Sequence, residues 1–145
     1  AAMPARGGFA QRDVAAYCTR VPLEPGLAAA ISLLVGDDDT ALALRSGEVA
    51  VLATPRLIAL CEEASLQAVA AAVPDGHTTV GMRVQLDHLV PTAIGNEVTA
   101  EATLEKVEGR RLTFTVSASD ERGLIAAGKV TRVVVDVARF LDKCS

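Results

Sequence analysis

The sequence predicts an α+β domain in which one long helix lies against a curved antiparallel sheet. The segment from Thr54 to about Val73 is almost wholly apolar and is long enough for a buried helix. After Pro74 and Gly76 the pattern changes to alternating apolar and polar residues rich in Val and Thr, which is typical of strands. One buried helix followed by consecutive strands favours a sheet that curls around the helix.

Length, charge and composition favour one folded domain and exclude several functional classes. The chain has 145 residues, half of them hydrophobic, and a formal net charge of −4 at pH 7. An acidic chain with 3% aromatic residues does not fit a nucleic-acid-binding module. No apolar run approaches the roughly 20 residues of a membrane-spanning helix. We therefore expect neither a nucleic acid nor a membrane among its partners.

The N-terminal segment and the cysteines bear on organisation and location. Residues 1–21 are rich in Ala, Gly and Arg and predict a flexible arm, whereas residues 22–145 predict a single domain. The three cysteines, at positions 18, 61 and 144, are far apart and odd in number, which fits neither a disulfide framework nor a zinc site. Since no signal peptide is recognisable, a cytoplasmic location is expected.

Two short elements are predicted before the long helix. Leu27–Val35 is an apolar run preceded by Pro25 and Gly26, which predicts a strand. The polar run at 37–40 offers capping residues for a short helix that continues through Leu44.

The long helix is predicted to begin at Thr54-Pro55, because Thr is a preferred N-cap residue and Pro is tolerated at the first helical position. At about 100° per residue, the polar side chains of Arg56, Glu63 and Gln67 share one narrow stripe. The remaining surface is mostly apolar, which predicts that the helix is buried on most sides.

Four strands and a short final helix are predicted after the long helix. The strands span His77–Leu89, Glu97–Val107, Arg110–Ser119 and Leu124–Asp136, and the helix spans Ala138–Lys143. Gly109 and Gly123 lie where tight hairpin turns are needed. The strands therefore predict an antiparallel meander.

Common catalytic motifs are missing from the sequence. It contains no GxSxG elbow, no phosphate-binding loop, no dinucleotide fingerprint and no HExxH zinc motif. Two histidines cannot build a multi-histidine metal site, so neither a metal nor a cofactor is expected. The candidate catalytic groups are therefore carboxylates and histidines in unusual surroundings.

Glu62 is the most informative side chain of the predicted helix. It lies about 100° from Glu63 around the helix axis, between Ile58 and Leu66 on an apolar stripe. A carboxylate in such surroundings is costly unless it is paired. Glu62 is therefore either a catalytic group or a buried glutamate satisfied by backbone amides or by an arginine of a second subunit.

His88 is the second candidate. It shares strand parity with Val84 and Leu86, so its side chain is expected to point to the apolar face. It is either a hydrogen-bonded core histidine or a member of a site. His77, at the entrance of the same strand, is expected on the surface.

The order and spacing of several short motifs resemble those of the hot-dog-fold acyl-CoA thioesterases related to fluoroacetyl-CoA thioesterase. The motifs are Val51-Leu52-Ala53-Thr54-Pro55, Glu62 eight residues after Thr54, Thr79-Val80-Gly81, His88 before Pro91-Thr92, and Val107-Glu108-Gly109-Arg110-Arg111-Leu112-Thr113-Phe114. The resemblance covers roughly residues 22–142.

The resemblance implies a hot-dog fold, a homodimer or dimer of dimers, and hydrolysis of acyl-CoA without metal or cofactor. It places the catalytic residues at Thr54, Glu62 and His88. Glu62 would act as general base on water or attack the thioester directly to give an anhydride. His88 would orient the water or help to protonate the leaving group. The start of the helix offers N–H groups to the thioester carbonyl oxygen.

The substrate is expected to be a short or medium acyl-CoA. The chain has Thr54-Pro55 where the fluoroacetyl enzyme has Thr-Gly, and it lacks the aromatic residues associated with that enzyme's selectivity. Gly81 is an expected substrate-binding position. CoA phosphates need surface cations, for which Arg83, Arg110 and Arg111 are the candidates.

Two questions stay open at the level of the sequence. Eight helical residues span about 12 Å, so Thr54 and Glu62 cannot touch on one straight helix. Either they flank the substrate at different points, or the site combines groups from two subunits. A hot-dog acyl-CoA hydratase and a non-catalytic acyl-CoA-binding protein are the alternative functions.

Overall fold

The structure of the protein, a computed structural model, describes residues 21–145, so nearly all of the predicted N-terminal arm lies outside the described residues. In chain order the elements are β1 (Ala28–Leu34), a 3-10 turn (Asp37–Asp39), α1 (Ala41–Leu44), α2 (Thr54–Ala68), β2 (His77–His88), β3 (Glu97–Glu108), β4 (Arg111–Asp120), β5 (Gly123–Asp136) and α3 (Val137–Asp142). No helix within this range is long and apolar enough to cross a membrane.

The five strands form one antiparallel sheet in the order β1-β3-β4-β5-β2, with α2 packed on one face. This confirms the α+β class, and each predicted strand agrees with the structure to within one residue at either end. The predicted meander is confirmed for β3, β4 and β5 but is wrong for β2, which pairs with β5 at the far edge while β1 takes the place beside β3. The two hairpin turns need left-handed backbone at Gly109 and Gly123, whose φ angles are 63° and 122°. Turn chemistry therefore determined where β3 and β4 end and where β4 and β5 begin.

The start of α2 differs from the prediction. Ala53 is the N-cap residue, while Thr54 and Pro55 occupy the first helical turn, and no side chain caps the helix. The predicted N-cap role of Thr54 is therefore wrong, and its hydroxyl is free to bind elsewhere. The helix also ends at Ala68 instead of about Val73, and the residues between them form turns. Pro74 disfavours helical geometry at Val73, the residue directly before it, but does not account for the earlier end at Ala68.

One face of α2 is buried against the sheet. It carries Leu57, Leu60, Cys61, Ala64 and Ser65, and the core beneath it is centred on Phe114. The expectation that α2 is buried on most sides is wrong for a single copy of the chain, in which only one face of the helix is covered. Leu66 is 41% exposed and Ile58 is only half-buried. An apolar strip beside Glu62 therefore remains uncovered.

A β-bulge in β2 changes which side chains face α2. The pairing of β2 with β5 shifts between Gly81 and Arg83. Before the shift, Thr79 faces the core opposite Val134, and after it His88 faces the core opposite Ala126. If side chains alternated without a shift, Thr79 and His88 would lie on opposite faces of the sheet, because one position is odd-numbered and the other even-numbered. The bulge therefore brings Thr79 and His88 to the same side of the sheet.

The backbones of β2 and β5 approach closely at Gly128, so that a side chain at this position should destabilise the fold. A Cβ at Gly128 would lie 2.8 Å from the Cα of Leu86 and would overlap the carbonyl oxygen of Gln85. We expect Gly128→Ala to lower the free energy of unfolding by about 1–3 kcal/mol, because the two strands must move apart. Gly36→Ala is the control, since its Cβ would make only an ordinary contact 3.6 Å from Asp39. Equal losses in urea unfolding would contradict the argument.

Candidate active site

Thr54 and His88 meet at the N-terminal end of α2. The Thr54 Oγ1 lies 2.8 Å from His88 Nδ1. Thr54 is on the first helical turn, and His88 is the last residue of β2, where it faces the buried Ala126 of β5. The parity prediction for His88 is thus confirmed. The first N–H groups of the helix, which have no acceptor within it, lie beside this pair.

The second ring nitrogen of His88 is the unusual atom of this pair. His88 Nε2 is buried and has no hydrogen-bond partner among residues 21–145. Burial lowers the pKa of His88 below its ordinary value, and a hydrogen bond with the backbone of Val90 only partly opposes this. The imidazole is therefore neutral at pH 7, with one nitrogen as donor and the other as acceptor.

A cleft of about 310 Å³ adjoins the pair. Its lining is mainly aliphatic and, besides Thr54 and His88, comprises Ala41, Ser46, Gly47, Val49, Val51, Leu52, Leu89, Val90 and Pro91. Leu89 is 62% exposed and Val49 is 58% exposed, so the rim of the cleft is apolar as well. The arrangement offers a hydrogen-bonding pair at one side of a cleft suited to an aliphatic group.

The chain segments that carry Thr54 and His88 are tied together by Thr92. Its carbonyl oxygen accepts the N–H of Leu52, just before α2, at 2.9 Å. Its buried hydroxyl donates to Asp120 Oδ2 at 2.8 Å. Burial raises the pKa of Asp120, but the hydrogen bonds from Thr92 and Arg122 outweigh it, so the pKa lies below its ordinary value. The ionised carboxylate therefore anchors the loop after β2.

Glu62 belongs to a second group of residues farther along α2. Its Oε2 lies 3.1 Å from Nη1 of Arg132, whose side chain is 8% exposed. Arg132 also donates from Nε to Thr79 Oγ1 and from Nη2 to the Thr79 carbonyl oxygen, each at 2.8 Å. Glu62 is therefore paired, and its partner is an arginine of its own chain rather than of a second subunit.

Gly81 and Cys61 complete the surroundings of Glu62. A Cβ at Gly81 would overlap Glu62 Oε2, so the absence of a side chain is what lets the carboxylate lie against β2. Cys61, which directly precedes Glu62 in the sequence, is buried. Burial, with a smaller contribution from the charge of Glu62, raises the pKa of the Cys61 thiol to about 11. The thiol stays protonated and is unsuited to act as a nucleophile.

The structure separates the predicted site residues into distinct places. The Thr54–His88 pair and Glu62 are eight helical residues apart, or about 12 Å. Arg83 and Arg111 pair with Thr131 and Val133, on the sheet face turned away from α2. Arg110 lies in the β3–β4 turn. None of the three arginines lines the cleft beside His88.

Arg132 and Thr79 are the site residues that the sequence argument missed. Arg132 shares strand parity with the buried Val130 and Val134, which was a usable signal for a buried arginine. The sequence gives no comparable signal for Thr79. The bulge that lets Thr79 and His88 share one face of the sheet is not visible in the alternation of apolar and polar residues along β2. Within residues 21–145, no three His, Cys, Asp or Glu side chains cluster closely enough to hold a metal ion.

An antiparallel sheet packed on one long helix, with polar groups beside that helix, is the arrangement of the hot-dog thioesterases to which the chain is similar. The sequence profile described as fluoroacetyl-CoA-specific thioesterase (FlK) matches residues 35–138. The chain is 36% identical over 93 residues to the fluoroacetyl-CoA thioesterase of Streptantibioticus cattleyicolor, an alignment covering 64% of this chain and 67% of that protein. The chain belongs to the fluoroacetyl-CoA-specific thioesterase family.

Solved structures agree with this assignment. A structure of the fluoroacetyl-CoA thioesterase FlK superposes with a TM-score of 0.81 at 28% identity, covering 86% of this chain and 96% of that one. A thioesterase-superfamily member of Thermus thermophilus gives 0.77 at 28% identity, covering 83% and 90%. A hot-dog-like protein of Thermanaerovibrio acidaminovorans, at 24% identity and 0.76, covers 83% and 89% and shares the fold. The hot-dog fold and the family resemblance are confirmed, and the protein is an acyl-CoA thioesterase.

The lowered pKa of His88 predicts a pH-dependent stability. The unfolded chain takes up a proton at this histidine near pH 6.5, whereas the folded chain does so only at a lower pH. The stability that neutral His88 provides above pH 6.5 should therefore fall as the pH drops through the folded pKa. Urea unfolding between pH 5 and 8 should show a smaller acid loss for His88→Gln than for the wild type. Parallel curves for the two proteins would contradict this.

Proposed function

We propose that the protein hydrolyses short or medium acyl-CoA thioesters through Thr54, Glu62 and His88, without a metal. The observation that carries this proposal is the buried Nε2 of His88, which has no partner among the described residues although Thr54 engages the other nitrogen. A buried polar atom without a partner is costly in a folded protein. A substrate atom in the adjoining cleft would supply the missing partner.

His88 and Thr54 would stabilise the negative charge that develops on the thioester oxygen. When the Thr54 hydroxyl donates to Nδ1, the neutral imidazole carries its proton on Nε2. That N–H can donate to the carbonyl oxygen as the tetrahedral intermediate forms. The positive end of the α2 dipole lies beside it and has the same effect.

Glu62 would act as the general base. Its carboxylate takes a proton from a water molecule, whose oxygen attacks the carbonyl carbon. The carbon–sulfur bond then breaks, and the departing thiolate receives the proton, which gives the carboxylic acid and free CoA. Arg132 and Gly81 support this role, since one holds the carboxylate and the other leaves it room.

We infer that Glu62 acts together with the Thr54–His88 pair of a second copy of the chain. The two groups are about 12 Å apart within one chain, too far for one water molecule to join them. The side of the molecule near Glu62 exposes 41% of Leu66 on α2 and 50% of Met82 at the bulge of the edge strand β2. A homodimer that covers this apolar surface would bring the groups together.

The cleft supports a short or medium aliphatic acyl group as substrate. Aliphatic side chains line most of the approximately 310 Å³, and no Phe or Tyr of residues 21–145 lies in the lining. The relative from Streptantibioticus cattleyicolor is named for fluoroacetyl-CoA. We propose a broader acyl range for this chain, to be measured by thiol release from acetyl-, butyryl- and hexanoyl-CoA.

The neighbouring glutamates of α2 provide a matched test of the catalytic carboxylate. We expect Glu62→Gln to lower kcat for thiol release by about 100-fold or more, because the base is lost. The glutamine retains an oxygen that can accept from Arg132 but no longer balances its charge, so thermal unfolding is measured alongside and kcat is expressed per folded protein. Glu63→Gln, on the exposed side of the helix, should leave kcat unchanged. If Glu63→Gln is the inactive variant, or if neither change matters, this role of Glu62 is wrong.

Mixing two inactive variants tests the shared site. Glu62→Gln and His88→Gln, unfolded and refolded together, should form mixed dimers in which one of the two sites is intact. Random pairing would restore about one quarter of the wild-type sites. Light scattering checks that dimers form and thiol release measures the recovery. Dimers that mix without recovering activity would place the whole site in one chain, and a monomer would refute the proposal outright.

A further inference from the structure

We propose that a cationic cleft between the end of β5 and α3 binds the phosphate groups of CoA, and that a neighbouring groove holds the pantetheine arm. The proposal rests on the proposed function, because it names where the non-reacting part of the same substrate lies. It concerns the end of the sheet opposite to the Thr54–His88 pair.

The cationic cleft has a volume of about 530 Å³. Its lining residues are His77, Arg110, Val134, Val135, Asp136, Arg139, Phe140 and Lys143. Arg110, Arg139 and Lys143 form no ion pair with any residue of the described range 21–145. Three cations therefore converge on one concave surface, and the one carboxylate in its lining, Asp136, interacts electrostatically with Arg139.

The one carboxylate that lines the cationic cleft is already engaged. Asp136 Oδ1 accepts the backbone N–H of Arg139 at 3.0 Å and so caps α3. Arg110, Arg139 and Lys143 outnumber this one carboxylate, so the lining is positively charged overall, which suits the diphosphate and 3′-phosphate of CoA. Of the three arginines chosen from the sequence, only Arg110 lines this cleft, while Arg83 and Arg111 do not.

A groove of about 320 Å³ lies between the cationic cleft and the surroundings of Glu62. It runs between the end of α2 and the start of β2 and is lined in part by Leu66, Val69 and Val73. At one end is Thr79, which accepts from the Arg132 that holds Glu62. At the other end is His77, which lines both the groove and the cationic cleft. The two depressions therefore adjoin at His77, and the groove extends from there to Thr79, beside the Arg132–Glu62 pair.

The length of the path matches the substrate. Gly81, against which Glu62 lies, follows His77 by four residues of extended strand, or about 13 Å. The pantetheine arm has as many bonds as roughly four residues of extended chain, which reach about 15 Å. His88 lies eleven strand residues from His77, or about 36 Å, which is out of reach. The cationic cleft therefore serves a thioester held at Glu62 of the same chain.

The experiment compares ligands with and without phosphates. Calorimetry measures the Kd of CoA and of pantetheine for the wild type and for Arg139→Gln/Lys143→Gln. We expect the double variant to bind CoA about tenfold more weakly, because charge-assisted contacts to phosphate are lost. The preference for CoA over pantetheine should shrink accordingly, and so should the salt dependence of CoA binding. The kcat/KM ratio of butyryl-CoA to S-butyryl-pantetheine should fall in parallel.

Lys106→Gln is the matched control, because it removes a lysine of β3 that pairs with Glu108 at 3.6 Å and lines neither depression. It should keep the wild-type ratio. If the double variant melts early, Arg110→Gln replaces it. Unchanged CoA binding, equal weakening of CoA and pantetheine, or an effect of Arg83→Gln instead would overturn the proposal. A wild type that binds CoA through these residues but releases no thiol would overturn only the proposed hydrolysis.

Discussion

The buried guanidinium of Arg132 is the interaction on which the arrangement of this molecule depends. It lies in β5, yet its hydrogen bonds go to Thr79 of β2 and to Glu62 of α2. Burial lowers the pKa of Arg132 and the charge of Glu62 opposes this. Since arginine remains protonated in proteins, the charge must be compensated where it lies. That requirement fixes the helix against the edge strand.

The β-bulge in β2 is the second constraint, and it works together with the first. Without the register shift between Gly81 and Arg83, Thr79 and His88 would lie on opposite faces of the sheet. With the shift, β2 supplies both Thr79, which accepts from Arg132, and His88, which binds Thr54. Gly81, just before the shift, is also where Glu62 lies against the strand. A single irregularity therefore serves both groups of polar residues.

The helix α2 distributes chemistry along its length rather than concentrating it. Its first turn carries Thr54 beside an aliphatic cleft, and two turns later Glu62 lies beside the guanidinium and a groove that leads away from that cleft. Such a layout suits an extended substrate, with a reacting thioester between a short acyl group and a long polar arm. The apolar surface that a single chain leaves beside Glu62 is consistent with a second copy completing this layout.

The sequence by itself determined the strands, the hairpin turns, and the different surroundings of Glu62 and Glu63. It also determined the inward direction of His88, because alternation and helical periodicity are local properties that neighbouring residues encode. Only the tertiary structure decided that Thr54 binds His88 instead of capping α2, because the helix starts after Ala53 and the two residues are 34 positions apart. The pairing of Glu62 with Arg132, 70 positions away, depends on a sheet register that includes the bulge. Contacts of that kind arise from how strands align across the sheet, which no local pattern specifies.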